Sequence, residues 1–147
     1  MRPGSNNDLV YCLRILEAIG KIKLYSSGYT DPFDFFEADD QKDFNASLLQ
    51  LLHIGEQANR FSEETKQIYD AVPWQRIKAF RNIVAHDYIG VDKLIVFETI
   101  QVRLPQLKQQ IEQIIRDLLL KKVFDPAEYQ LSKESRYYKH IDFDTIV

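Results

Sequence analysis

Apolar residues recur along this chain with a helical period almost throughout, and the alternating β-branched runs that mark strands are missing. Leu9, Leu13, Leu16 and Ile19 or Gly20 follow i, i+4, i+7 spacing and predict a first helix from about Asn7 to Tyr25, ended by Ser26-Ser27-Gly28. After a loop containing Pro32, Leu48, Leu51, Leu52, Gly55, Ala58 and Phe61 form the inner face of a second helix, from about Phe44 to Phe61. A glycine at position 55, inside that helix, points to close packing against a neighbour. Ser62-Glu63-Glu64-Thr65 breaks the period, with room for a short helical turn after it. Pro73 then stands where the first turn of a helix tolerates proline. Trp74, Ile77, Phe80 or Arg81, and Val84 carry a third stripe, which Gly90 is expected to stop in the left-handed conformation.

Asp92 is the expected cap of the fourth and longest helix. Its stripe of Leu94, Phe97, Ile100, Leu104, Leu107, Ile111, Ile114 and Leu118 is nearly a heptad repeat, and Pro105 is expected to kink it. The expected fold is therefore all-α, an antiparallel four-helix bundle over residues 1–122. Its long helix would leave an exposed seam suited to a dimer interface. Residues 123–147 change composition and lack a period; they read as a C-terminal extension that packs on the bundle, binds a partner or frays.

Composition narrows the setting. The chain has 147 residues, 45% hydrophobic and 28% charged, enough for one domain with its own core. Cys12 is the sole cysteine, which excludes an internal disulfide and a cysteine-based zinc site and fits a reducing cytoplasm. The N-terminus lacks the apolar stretch of a signal peptide, and no apolar run approaches the roughly 20 residues needed to span a bilayer. A cytoplasmic location and no membrane association are expected. A net charge of −3 argues against a broad electrostatic nucleic-acid binder but leaves room for a small basic cleft. Asp31, Asp34, Glu37, Asp39, Asp40 and Asp43 concentrate the acidic charge; they read as a solvated loop with a helix cap, because they follow no calcium-loop spacing.

The chemistry is concentrated in Arg81-Asn82-Ile83-Val84-Ala85-His86-Asp87-Tyr88. Asn82 and His86 are i and i+4 and share a helical face, Arg81 lies one step round, and Tyr88 is a turn beyond. Arginine grips a phosphodiester with a planar fork of donors, and an imidazole with an ordinary pKa of about 6.5 moves protons at neutral pH. Together they suit RNA cleavage, in which the 2′-hydroxyl attacks its own phosphate; no metal or other cofactor is demanded. One His86 serves one proton transfer at a time, so a two-fold dimer bringing two copies together would complete the set. The same residues also have a structural reading. Arg81 could pair with an acidic neighbour, Asn82 could bond to backbone, and His86 could simply answer the helix dipole. His53 reads as a satisfied core or interface histidine, His140 has no catalytic role, and Tyr11, Tyr25, Tyr29 and Tyr69 read as residues at the core edge.

The stretch from Pro73-Trp74 to Gly90-Val91-Asp92 resembles the HepT-like branch of the HEPN superfamily, with its Arg-Asn-x-x-x-His core, x-Tyr step and Gly-Val-Asp turn. His53-Ile54-Gly55-Glu56-Gln57-Ala58 and the segment from Thr99-Ile100 to Leu104-Pro105-Gln106-Leu107 extend the likeness to about residues 7–120. The resemblance implies a homodimer with a composite, metal-independent endoribonuclease site. Within it Arg81 and Asn82 would be catalytic, His86 the general acid/base and Tyr88 the motif tyrosine. It further implies a toxin acting on RNA, transfer RNA included. The antitoxin would be a minimal nucleotidyltransferase of the MntA kind that moves AMP from ATP onto Tyr88. AMP there would set charge and bulk beside Arg81 and block the place of the RNA phosphate. Two other readings stay open: a noncatalytic nucleotide-binding subunit of a nucleotidyltransferase complex, and a purely structural helical adaptor.

Overall fold

The computed structural model describes residues 7–147, so the reading of the first six residues as free of a signal sequence lies outside it. Among the described residues all regular structure is helical: α1 (Asp8–Ser26), α2 (Pro32–Asn59), α3 (Glu63–Ile68), α4 (Trp74–His86), α5 (Lys93–Glu98), α6 (Leu104–Leu120) and α7 (Pro126–Ser132). The all-α bundle expected from the periodicity is the fold observed. No helix among these residues is long and apolar enough to cross a membrane.

Helix α1 runs through the centre, burying Leu9, Cys12, Leu13, Ile15, Leu16, Ile19 and Ile22 against α2 and α6. Its start is pinned by the buried Asp8 carboxylate, which accepts from the Ser62 amide (3.1 Å), the Ser62 hydroxyl (2.9 Å) and the Thr65 hydroxyl (2.7 Å). One anion thereby ties α1 to the cap of α3, since Ser62 also accepts from the Thr65 amide.

Helix α2 begins earlier than the periodicity suggested. Asp31 caps it through the Phe33 amide and Pro32 occupies the first turn, a start signal that the loop reading passed over. The helix is then interrupted at Ala38–Gln41, where Asp39, Asp40 and Gln41 have φ of 49°, 56° and 67°. Left-handed backbone costs about 1–2 kcal/mol per residue. It lets the first turns fold back so that Phe35 and Phe36 meet Phe44 at centroid separations of 5.8 and 4.8 Å. Lys93, the first residue of α5, lies 4.1 Å over the Phe36 ring.

Gly90 corrects a second expectation. Helix α4 ends at His86, and Gly90 does not take the left-handed stop. The Asp87 carboxylate accepts the Gly90 amide at 3.1 Å, and a β-carbon at Gly90 would collide with that carboxylate. The glycine leaves room for the Asp87 carboxylate inside an aspartate turn. Asp92 caps α5 as expected, accepting from the Leu94 and Ile95 amides.

The irregularity expected at Pro105 takes the form of a π-helical turn, Thr99–Arg103, between α5 and α6. Widening the turn before the proline relieves the clash its ring would make one turn back. The long stripe is also not an exposed seam. Ile100, Leu104, Leu107, Ile111, Ile114 and Leu118 are all buried, and α6 packs on α1, because a stripe this wide finds its partner within the chain. Leu94, at 51% exposure, and the partly buried Phe97 are the exceptions, at the start of the stripe.

The segment after α6 returns to the bundle. Phe124, Tyr129 and Ile146 join the main core. Two buried carboxylates then hold the chain beyond α7. Glu17 of α1 accepts the His140 amide at 2.7 Å and meets its Nδ1 at 2.6 Å, and Glu112 of α6 accepts the Thr145 hydroxyl and pairs with Lys108 at 2.8 Å. Arg116 donates to the Ile146 carbonyl at 3.0 Å.

Candidate functional site

Helix α4 is amphipathic but shallowly seated: among its residues only Val84 is fully buried, and Trp74, Ile77 and Phe80 are partly buried. It is drawn against α2 at Gly55, where a β-carbon would overlap the Cβ and Cγ of Arg81. The packing role expected for Gly55 is thus met by the arginine of the motif itself. The aliphatic stem of Arg81 lies in the gap, and its guanidinium emerges beside Glu56 (Nη2 to Oε1, 3.4 Å) and donates from Nη1 to Asn82 Oδ1 at 3.1 Å.

The pairing of Arg81 with an acid, raised as its structural role, is therefore present. Two of the five guanidinium donors are engaged; the rest of the fork faces an open polar groove lined by Glu56, Asn59, Arg60, Lys78 and Asn82. His86, at the last position of α4, is exposed. Tyr88 follows in the aspartate turn and donates its hydroxyl to Asn45 Oδ1 at 2.8 Å. Among the described residues no group of three or more His, Cys, Asp or Glu side chains is arranged to hold a metal ion.

Helix α2 sets this spacing. Asn45 and Glu56 are eleven residues apart, close to three full turns, so they lie on one edge of α2 about 16 Å apart. The antiparallel α4 runs along that edge, with Arg81 held at the Glu56 end and Tyr88 at the Asn45 end. Within one chain the phenol and the guanidinium are therefore not neighbours. The expectation that AMP on Tyr88 sets charge and bulk beside Arg81 therefore needs either the reach of the nucleotide or a second chain. Asn45 and Glu56 were not singled out from the sequence for these roles; their shared edge was the available signal.

His53 lies half-buried on α2, its pKa lowered by desolvation and then by Arg14, Lys21 and Arg60, with Glu56 opposing. It stays outside the Arg81 cluster. Cys12 is fully buried, as expected of a small core residue, and burial raises its thiol pKa well above the ordinary value. Tyr29 and Tyr69 sit at the core edge and donate to Asp43 (2.9 Å) and Asp117 (3.1 Å).

A bundle of this connectivity, with an arginine, an amide and an imidazole on one helix end and a phenol on the turn after it, is a HEPN-like all-α domain. The chain belongs to the family described as Ribonuclease HepT-like, whose model matches residues 15–114. It is 30% identical over 91 residues to "Putative RNase MJ0125" of Methanocaldococcus jannaschii, covering 61% of this chain and 78% of that protein. It is 28% identical over 104 residues to "Probable ribonuclease HepT" of Thermococcus cleftensis, covering 71% of this chain and 92% of that one. No solved structure matches the chain significantly.

Proposed function

We propose that this protein is a metal-independent endoribonuclease toxin whose site is built from Arg81, Asn82 and His86 of two chains and is silenced by AMP on Tyr88. The observation that carries this reading is the arrangement at the end of α4. Asn82 fixes the half-exposed guanidinium, while the imidazole one helical turn further on is open to solvent. Family membership and the ribonuclease names of its relatives agree with it.

In the proposed reaction a base removes the proton of a ribose 2′-hydroxyl, and the freed oxygen forms a new bond to phosphorus. The bond from phosphorus to the 5′-oxygen breaks, and an acid protonates that oxygen as it leaves. His86 of one chain and His86 of the second supply the base and the acid, while Arg81 balances the charge of the crowded phosphate. Exposed apolar side chains around the motif, Ile83, Ile89 at 96% exposure, Leu94 and Ile95, are suited to join two such helix ends.

Incubating the purified chain with RNA in excess chelator tests the chemistry. Cleavage is expected, and the His86→Ala variant is expected to lose it by roughly 10²- to 10⁴-fold. A variant that cleaves at the parental rate would remove His86 from the mechanism. Regulation is tested with a minimal nucleotidyltransferase and ATP: mass spectrometry should place one AMP on Tyr88 and none on the Tyr88→Phe variant. Modification of the Phe variant at the same level would refute that assignment.

A further inference from the structure

A second polar groove lies on the other side of α2's exposed face, where α1, α2 and the C-terminal segment meet. Arg14 and Lys21 of α1, Gln50 and His53 of α2, and Tyr137 and Tyr138 of the tail line it. Three of its properties are those of a nucleic-acid contact. Its cations are free of carboxylate partners among the described residues: Arg14 makes only a 3.4 Å bond to Gln57 Oε1, and Lys21 has no ion pair. The anion in the groove, Glu17, is already engaged by His140. Aromatic surface is presented to solvent, since Tyr137 is 71% exposed, with the Arg136 guanidinium over one side of its ring at 5.5 Å from the centroid.

The charge is also felt locally. Arg14, Lys21 and Arg60 face His53 against Glu56, while Glu128 and Glu17 face Tyr138 against Arg14, so the positive charge of the groove gathers at its His53 end. His53, Glu56 and Arg60 lie along one ridge of α2, with this groove on one side and the Arg81 groove on the other. The two are thus separated by about one helix diameter, ~10 Å. The tail residues that complete the groove fall beyond the 15–114 match.

We propose that this groove is a substrate-binding surface for single-stranded RNA. A base stacks on Tyr137, and Arg14 and Lys21 hold the flanking phosphates, guiding the strand over α2 toward Arg81. The proposal rests on the ribonuclease reading for its substrate class. Alternating aromatic and cationic contacts favour a single strand over a duplex, because only an unpaired base offers its face to a ring.

The test uses the full chain carrying His86→Ala, titrated with a fluorescently labelled single-stranded RNA of about 12 nucleotides, within the site size of comparable grooves, at several salt concentrations. Adding Tyr137→Ala is expected to weaken binding roughly 5- to 100-fold, the worth of one base stack, while Tyr137→Phe keeps it. Replacing Arg14 and Lys21 with Gln together is expected to reduce the slope of log affinity against log salt by about 1.4, the release of two counterions from a single strand. Parental affinity and slope in these variants would overturn the proposal. So would equal losses on a duplex of the same length, or a loss of transferase binding with RNA affinity unchanged. Cleavage by the chain with His86 intact separates the two readings. Groove-dependent binding without cleavage sinks the ribonuclease and leaves the groove, whereas cleavage and binding indifferent to the groove variants sink the groove alone.

Discussion

The end of α4 and the C-terminal segment are opposites. The motif at 81–88 is ordered by a few half-exposed polar contacts, with Val84 as its one fully buried anchor. The segment beyond α6 has no helical period, yet Phe124, Tyr129 and Ile146 lock it into the core and two buried carboxylates clasp it. Where this chain keeps reactive groups available it holds them lightly, and where it has no periodic pattern it relies on specific buried anions. Activity and stability are therefore expected to separate along the chain.

The sharpest break of that contrast comes from Arg81→Ala. RNA cleavage should fall by about 10²-fold or more, the usual worth of a transition-state charge contact. The stability change should stay within about 1–2 kcal/mol, because the Glu56 pair is partly solvated and the stem beyond Cβ is the only packing lost at Gly55. Denaturant unfolding alongside single-turnover cleavage checks both; a large loss of stability with full activity would reverse the assignment. Glu17→Ala should do the opposite to the tail. It leaves the His140 amide without its acceptor and is expected to cost about 1–3 kcal/mol, read as faster hydrogen exchange from residue 133 onward. Unchanged exchange there would show that the apolar anchors suffice.

Gly55→Ala bridges the two regions, since the added methyl must displace the stem of Arg81. Overpacking is expected to cost about 1–3 kcal/mol and to lower activity at the same time. A stable variant with normal cleavage would mean that α4 shifts without disturbing the site. The smallest effect is a pH dependence. Burial, followed by the bond to Asp117, raises the Tyr69 phenol above its ordinary value. Folding thus favours the protonated phenol. That contribution is intact below the unfolded pKa of about 10 and is lost as pH rises through the folded value. Stability should fall less steeply above pH of about 10 in Tyr69→Phe than in the parent; identical profiles would rule Tyr69 out.

Much of this was readable from spacing. The stripes of α1, α4 and α6, the glycine at 55 and the cap at Asp92 each follow from periodicity and local backbone chemistry, which need no knowledge of neighbours. The Asp31-Pro32 start of α2 was equally local, but the acidic run after it masked the helical turns. Asn45, Glu56 and the Glu17 clasp on His140 were harder, because each is defined by a partner tens of residues or more away.

By itself, then, the order of residues determined an all-α bundle and put an arginine, an amide and an imidazole on one helix end, since helical geometry follows from a period of 3.6. Only tertiary packing decided that the long stripe is internal, that Tyr88 and Arg81 are held at separate points along one α2 edge, and that the tail completes a polar groove beside Arg14 and Lys21. Those outcomes depend on which surfaces exclude water together, and burial is a property of pairs of elements rather than of any one of them.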